Sequence, residues 1–112
     1  MRNKIVLVPF PFDDLTTTKV RPAVCLTDEI APYGHVVLAF ITSKVPSAPG
    51  ATDLVIQAND PDFQTNGLKV ASTIRLHRLM TVSKKIIRRD LGELSPRQRA
   101  KIDPMLSMLF GI

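Results

Sequence analysis

The apolar residues of this sequence come in short runs, and each run is ended by proline, glycine or a polar cluster. Runs of this length are typical of β-strands. Short connections suit antiparallel strands, whereas a parallel sheet needs crossover helices between its strands. The pattern therefore predicts a mainly β fold, a small SH3-like antiparallel barrel. The expected strands span about residues 3–9, 20–27, 35–42, 53–58, 69–76 and 79–82, with a compact turn region at 59–67.

One helix signature lies near the C-terminal end. Ser95 is a suitable N-cap, Pro96 fits the first helical position, and Gln98 completes a capping box. We expect one helix from about 95 to 110, kinked at Pro104 because proline lacks an amide hydrogen. The side chains expected to pack against the barrel, at helical spacing, are Ile102, Leu106 and Phe110.

Length and composition fit one domain over residues 1–112, with 45% hydrophobic and 22% charged residues. Cys25 is the only cysteine, and no Cys/His pair has metal-ligand spacing. The N-terminal apolar run is too short to cross a bilayer, and no secretory signal pattern is present. We expect a cytoplasmic protein with no metal, no cofactor and no membrane partner.

Charge is distributed unevenly along the chain. Residues 1–68 hold five Lys/Arg and seven Asp/Glu, whereas residues 69–112 hold ten and three, so the two parts carry −2 and +7. A basic part favours a polyanionic partner such as nucleic acid, because cations that neutralise phosphates release condensed counterions. A solvated basic face would give the same composition.

The motifs of most hydrolases are absent from the sequence. It has no serine, cysteine or histidine nucleophile motif, no glycine-rich phosphate loop and no spaced set of metal-binding carboxylates. RNA cleavage by its own 2′-hydroxyl needs none of these, since the nucleophile belongs to the substrate. The protein must supply a proton acceptor, a cation or proton donor at the phosphate, and a grip on splayed bases. An arginine and a hydroxyl can suffice.

Residues 6–15 (VLVPFPFDDL) followed by 19–26 (KVRPAVCL) resemble the opening of the MazF/PemK toxins. Those proteins begin with a strand, a Phe-Pro-Phe-type loop and Lys-x-Arg-Pro-Ala-Val. Residues 39–43 (AFITS) are similar to the family's strand-ending Ile-Thr-Ser, and residues 72–82 (STIRLHRLMTV) to its late strand pair. The resemblance continues through residues 91–95 (LGELS) into the helix. It covers nearly the whole chain.

The resemblance implies the toxin of a type II toxin–antitoxin system, an mRNA interferase. Such an endoribonuclease cuts single-stranded RNA at a short sequence without a metal, leaving a 2′,3′-cyclic phosphate and a 5′-hydroxyl. It also implies a homodimer with a shared RNA groove, and a cognate acidic antitoxin that lies across the groove and joins the toxin in DNA binding. The basic part of the chain fits an acidic partner.

The same resemblance places Arg21 and Thr42 in the cleavage site. Arg21 is expected to act in phosphate binding and proton transfer, and Thr42 to position the scissile phosphate. A planar guanidinium matches the oxygens of a phosphate and stabilises charge that builds on them. Without the resemblance, the favoured interpretation of Arg21 is a surface salt bridge with Asp13 or Asp14, and Thr42 would be an ordinary strand residue.

Further residues are expected to bind RNA. Arg75 matches an arginine that some relatives use in the RNA groove, and His77 stands where those relatives have aspartate. Histidine can act as acid or base near neutral pH and can stack on a base, but it could also be structural. Phe12 could stack on a base or plug the core. The remaining expected RNA contacts are Lys19, Ser43 and Lys44.

Two other functions remain open at this point. A non-catalytic RNA- or DNA-binding barrel would keep the fold and charge, and would bind RNA in a salt-sensitive way while leaving it intact. A gyrase poison is the other, because those toxins resemble this family in fold and end in Trp-Gly-Ile, whereas residues 110–112 here are Phe-Gly-Ile. Cleavage of RNA that persists in EDTA supports the nuclease.

Overall fold

A computed structural model describes residues 1–9 and 19–112 of the protein. Its strands form one antiparallel sheet in the order β4-β5-β3-β2-β1-β6, strongly curled, which confirms the predicted mainly β fold with a C-terminal helix. The segment 10–18, which includes Phe12, lies outside the described residues. The strands are β1 (Lys4–Pro9), β2 (Val20–Cys25), β3 (His35–Thr42), β4 (Asp53–Ile56), β5 (Ser72–Ser83) and β6 (Arg89–Glu93). The helices are α1 (Phe63–Asn66), α2 (Pro96–Phe110) and a 3-10 helix at Lys84–Ile86.

The first four predicted strands agree with β1 to β4 within two residues at each end. The prediction of two strands at 69–76 and 79–82 is wrong, since β5 is one continuous strand. Strand β6 and the short helix α1 were not predicted. Strand β6 pairs only with β1 at the edge of the sheet and contains a single large apolar residue, so its sequence lacks the usual strand pattern.

A bulge in β5 is the main irregularity of the sheet. Ala39 of β3 pairs with Leu79 of β5, but Ile41, two residues on, pairs with Ile74. Residues 75–78 of β5 therefore bulge opposite Phe40. Extra residues of this kind bend a strand and break the alternation of its side chains. The bulge explains why the sequence of β5 resembles two strands.

Both faces of the central strands are buried. Val24 of β2 lies in the larger hydrophobic cluster, which also contains Ile102 of α2. Its neighbours Ala23 and Cys25 lie in a second cluster on the opposite face. Burial on both faces explains the continuous apolar runs of the sequence. Burial also raises the pKa of the Cys25 thiol, so this cysteine is a packing residue and a poor nucleophile.

Helix α2 begins with the predicted capping box. The Ser95 Oγ accepts from the Gln98 backbone amide at 3.2 Å, and the Gln98 Oε1 accepts from the Ser95 amide at 2.9 Å. The helix continues through Pro104 as one element. Ile102 is buried and Leu106 packs against the larger cluster, as expected. The expectation for Phe110 is wrong for the single chain, because this side chain is 57% exposed.

A buried amide pair joins α2 to α1 and β6. The side chains of Asn66 and Gln98 exchange two hydrogen bonds, of 2.7 Å and 2.9 Å. The Asn66 Nδ2 also donates to the Glu93 carbonyl at 2.8 Å. Asn66 is fully buried, so its polar side-chain atoms take these hydrogen bonds in place of bonds to water. The pair fixes where the helix docks on the sheet.

We expect Asn66→Ala to lower the free energy of unfolding by roughly 2–4 kcal/mol, because the Gln98 amide and the Glu93 carbonyl lose buried partners. Urea denaturation measures the change, with Gln64→Ala as the control at an exposed position of the same helix. Equal loss of stability in the two variants would contradict the role given to the amide pair.

Candidate functional site

A cavity of about 330 Å³ opens where β2 begins, β3 ends and β5 bulges. We call it the cationic cavity. Arg21 lies at the start of β2, opposite Val8 of β1, and Thr42 is the last residue of β3. The side chains that line the cavity are Arg21, Phe40, Ile41, Thr42, Lys44, Arg75 and Arg78.

The bulge in β5 accounts for two of the cations. In a regular strand, side chains three residues apart point to opposite faces. Arg75 and Arg78 nevertheless line the same cavity, because both belong to the bulged residues opposite Phe40. Bulges often lie beside functional sites because they redirect side chains in this way.

The turn after β3 is held by two threonine hydroxyls. The Thr42 Oγ1 accepts from the Lys44 backbone amide at 3.2 Å. Thr73, which is fully buried and pairs with Thr42, donates its hydroxyl to the Lys44 carbonyl at 2.8 Å. The Lys44 backbone is thereby fixed beside the cavity. A hydroxyl that accepts a bond keeps its own hydrogen for donation, so Thr42 can still donate to a ligand oxygen.

Arg75 has an unsatisfied donor. It pairs in register with Asp53 of β4, yet the two side chains form no ion pair. The Asp53 Oδ2 accepts from the Gly50 amide at 2.9 Å, whereas the Asp53 Oδ1 and the Arg75 Nε are buried and have no hydrogen-bond partner among the described residues. A buried donor without a partner is costly, so an anion in the cavity that reached Arg75 would be bound favourably.

The structure brings together four of the eight residues predicted for the site: Arg21, Thr42, Lys44 and Arg75. Sequence analysis missed Arg78. Nothing in the sequence could have indicated it, because its position depends on the bulge, and a regular strand would turn it away from Arg75. None of the described residues that line the cavity is a carboxylate or a histidine.

The other predicted residues lie elsewhere. His77 is exposed, does not line the cavity, and has its Nδ1 2.8 Å from the Thr52 Oγ1. Lys19 is exposed just before β2, also outside the cavity lining. Ser43 lines a neighbouring cavity instead of this one. Phe12 belongs to the segment that the structure does not describe.

Residues 1–9 and 19–112 contain neither a cluster of metal-binding side chains nor a helix able to span a membrane. No group of three or more His, Cys, Asp or Glu side chains in this part of the chain could hold a metal ion. None of its helices is long and apolar enough to cross a membrane.

The curled antiparallel sheet defines a small β protein in which four cationic side chains line one cavity. The sequence profile of the PemK-like, MazF-like toxins of type II toxin–antitoxin systems matches residues 1–110. The chain therefore belongs to this toxin family, as its motifs indicated.

Solved structures of similar fold include other toxins. Mycobacterium tuberculosis toxin MazF-mt6 has 22% identity and a TM-score of 0.73, with 97% of each chain covered. An endoribonuclease in complex with its cognate antitoxin, from a mycobacterial species, has 18% identity and a TM-score of 0.72, covering 100% of this chain and 95% of that one. MazF from Deinococcus radiodurans has 20% identity and a TM-score of 0.70, covering 99% and 96%. No curated protein sequence matches the chain.

We expect Lys44→Gln or Arg78→Gln to weaken binding of short single-stranded RNA similarly for all sequences. Each should reduce the slope of log affinity against log salt by about 0.7–1, the amount for one lost phosphate contact. Fluorescence anisotropy at several salt concentrations measures the slope.

The control is Lys101→Gln, which removes the same charge from an exposed position on α2. If all three variants reduce the slope equally, RNA responds to net charge alone and the cavity is not its binding site.

Proposed function

We propose that the protein is an endoribonuclease that cuts single-stranded RNA in the cationic cavity, without a metal, using the 2′-hydroxyl of the RNA as nucleophile. The observation that carries the proposal is the meeting of Arg21 and Thr42 with three further cations in one cavity. Membership of the toxin family supports it, as does the likeness to a protein described as an endoribonuclease.

In the proposed reaction, the 2′-oxygen attacks the adjacent phosphorus and the 5′-oxygen leaves. Water takes the proton of the 2′-hydroxyl, and the products carry a 2′,3′-cyclic phosphate and a 5′-hydroxyl. Negative charge grows on the phosphate oxygens as the new bond forms. Preorganised donors aimed at such oxygens are often the largest contribution to catalysis.

Arg21 is the residue best suited to meet this charge. Its guanidinium can donate two parallel hydrogen bonds to phosphate oxygens, which an ammonium cannot do. We assign it also to proton transfer to the leaving 5′-oxygen, since no carboxyl or imidazole group lines the described part of the cavity. The proton that water takes from the 2′-hydroxyl then restores the charged guanidinium. Thr42 donates its hydroxyl to the phosphate and orients it. Lys44, Arg75 and Arg78 supply further positive charge.

The remaining predicted contacts are assigned to RNA on either side of the cut. His77 has its Nδ1 occupied by Thr52 and lies outside the cavity lining, so we assign it to base contact instead of proton transfer. Lys19 is exposed and close in sequence to Arg21, which suits contact with a neighbouring phosphate. The assignment of Phe12 to base stacking rests on the family resemblance alone.

Arg21→Ala should lower the rate of RNA cleavage by on the order of 10²–10³ or more, because removing one preorganised donor has that effect. Arg21→Lys should fail to restore the rate, since an ammonium cannot donate the two parallel hydrogen bonds of a planar guanidinium. Thr42→Ala should slow cleavage less and leave the cut position unchanged. Single-turnover cleavage of a long RNA, with its ends mapped, measures rates and positions together.

Circular dichroism and size-exclusion chromatography should show each variant folded and of wild-type size. Should Arg21→Ala cut RNA at the wild-type rate, the catalytic assignment is wrong. A non-catalytic nucleic-acid-binding protein then becomes the better account. The absence of any carboxylate or histidine among the described lining residues is the observation that favours this second candidate.

We also propose that an acidic antitoxin covers the cationic cavity. Carboxylates of such a partner would neutralise the cations that otherwise meet RNA. The comparison structures lend support, since one is an endoribonuclease in complex with its cognate antitoxin and another is a MazE–MazF complex from Deinococcus radiodurans.

An apolar groove supports the proposal of a homodimer. It has a volume of about 440 Å³ and lies between α2, the strands β3 and β5, and the residues that follow β2. Phe110 is 57% exposed and Ile112 92% exposed, and both line the groove. Large exposed apolar surfaces of this kind usually mark a protein contact. In a twofold dimer, each copy would place its Phe110 in the groove of the other, so that both exposed apolar surfaces become buried.

Phe110→Arg is expected to convert a dimer to a monomer, because burying a charged side chain in a mainly apolar interface carries a large desolvation cost. Light scattering after size-exclusion chromatography measures the mass. Met108→Arg is the matched control, since Met108 is similarly exposed on the same helix but does not line the groove. An unchanged mass for Phe110→Arg would rule out this interface.

A further inference from the structure

A second cavity, of about 370 Å³, adjoins the cationic cavity. We call it the side cavity. Arg21 and Ile41 line both cavities, so the two share a wall. Its volume falls in the range of roughly 300–1,000 Å³ that is usual for small-molecule sites.

The walls of the side cavity are mainly apolar, unlike those of the cationic cavity. Ile41 and Leu68 belong to the larger hydrophobic cluster, and Leu91 packs against that cluster. Val20 and Val70 are about half exposed and continue the apolar surface outward. Positive charge is confined to three side chains of the lining, which are Arg21, Lys69 and Arg89. Ser43 contributes a hydroxyl.

One wall of the side cavity is held rigidly by close backbone packing. Gly67 has a φ of 71°, and a Cβ at this position would lie 1.9 Å from the Leu91 carbonyl oxygen. Only glycine fits this approach of the segment after α1 to β6. The Ser72 Oγ donates to the Val70 carbonyl at 2.8 Å, which fixes the other end of the segment. The cavity is therefore preformed, which lowers the entropy lost when a ligand binds.

We propose that the side cavity holds one base of the RNA, that of a nucleotide next to the scissile phosphate. The proposal rests on the proposed function. A nucleotide has an apolar, planar base and an anionic phosphate. The side cavity suits the base, and the cationic cavity suits the phosphate. The base lies against Val70, Ile41 and Leu91, while its phosphate meets Arg21 at the shared wall.

Lys69 and Arg89 are assigned to the next phosphate of the RNA backbone. Both are exposed cations at the lining of the side cavity, placed to meet the backbone beyond the bound base. The Ser43 hydroxyl can donate or accept, so it can contact a polar edge of the base. The side cavity thus selects a base next to the cut, whereas the cationic cavity contacts only the phosphate common to all sequences.

The test uses binding of a short RNA whose 2′-fluoro sugars prevent cleavage. A series of oligonucleotides lacks one base at a time. We expect one abasic position to weaken binding to the wild-type chain by roughly 10- to 100-fold, because the base no longer removes its apolar surface from water at about 25 cal/mol per Å². Val70→Glu should weaken binding of the intact RNA by a similar factor. It should have no further effect when that one base is already missing, since the two changes remove the same interaction.

Val45→Glu is the matched control. Val45 is 40% exposed and Val70 54% exposed, and Val45 lines neither cavity. The added charge should weaken binding of intact and abasic RNA by the same factor at every position. Circular dichroism shows whether both variants are folded, and Val70→Ala offers a milder change of the same wall with the same expected pattern.

The outcomes separate this inference from the proposed function when cleavage of ordinary RNA is followed in parallel. Suppose that the protein cleaves RNA, but that Val70→Glu and each abasic position weaken RNA binding independently. The base site is then wrong and the proposed nuclease function stands. If Val70→Glu and one abasic position are coupled in binding but ordinary RNA is not cleaved, the base site is supported and the proposed nuclease function is wrong. If Val70→Glu weakens only binding of an acidic peptide, the side cavity is a peptide site and the inference is wrong. Absence of RNA binding overturns both.

Discussion

The register shift between β3 and β5 is the constraint on which the rest of the structure depends. Because residues 75–78 bulge opposite Phe40, one strand can pair with β4 at one end and with the start of β3 at the other. The same bulge directs Arg75 and Arg78 toward Arg21. A regular β5 would place these two arginines on opposite faces and leave Arg21 with less positive charge around it. The same bulge therefore determines both the strand pairing and the positions of the arginines.

Concentrating cations around one cavity is unfavourable in the free protein, since like charges repel and one arginine donor is buried without a partner. Stable structural features offset this. The amide pair of Asn66 and Gln98 fixes α2, and the two threonines fix the turn after β3. If the cavity binds RNA as proposed, its cations are already held in place before the phosphate binds, as stabilisation of a charged transition state requires. An acidic antitoxin and an RNA phosphate would relieve the same repulsion.

The sequence predicted the strands and the capped helix because their signals are local. Apolar runs defined β1 to β4, and Ser95 with Gln98 defined the start of α2. Strand β6 was not predicted, because an edge strand with few apolar residues is stabilised by its pairing with another strand. The sequence of the segment itself does not show this pairing. Arg21 and Thr42 were predicted as site residues only through the family resemblance, since by themselves both look ordinary. Arg78, the side cavity and the exposure of Phe110 depend on how distant segments meet, and no local pattern encodes that.

The central claim is that the substrate's own 2′-hydroxyl performs the attack in a cavity of cations. Its most direct test compares an RNA that the protein cuts with the same RNA carrying one 2′-deoxy nucleotide immediately 5′ to the scissile phosphate, both in EDTA. The claim predicts that the RNA is cut to a 2′,3′-cyclic phosphate and a 5′-hydroxyl, and that the 2′-deoxy version stays intact at that bond. Cleavage of the 2′-deoxy version, or products ending in a 3′-hydroxyl and a 5′-phosphate, would contradict it.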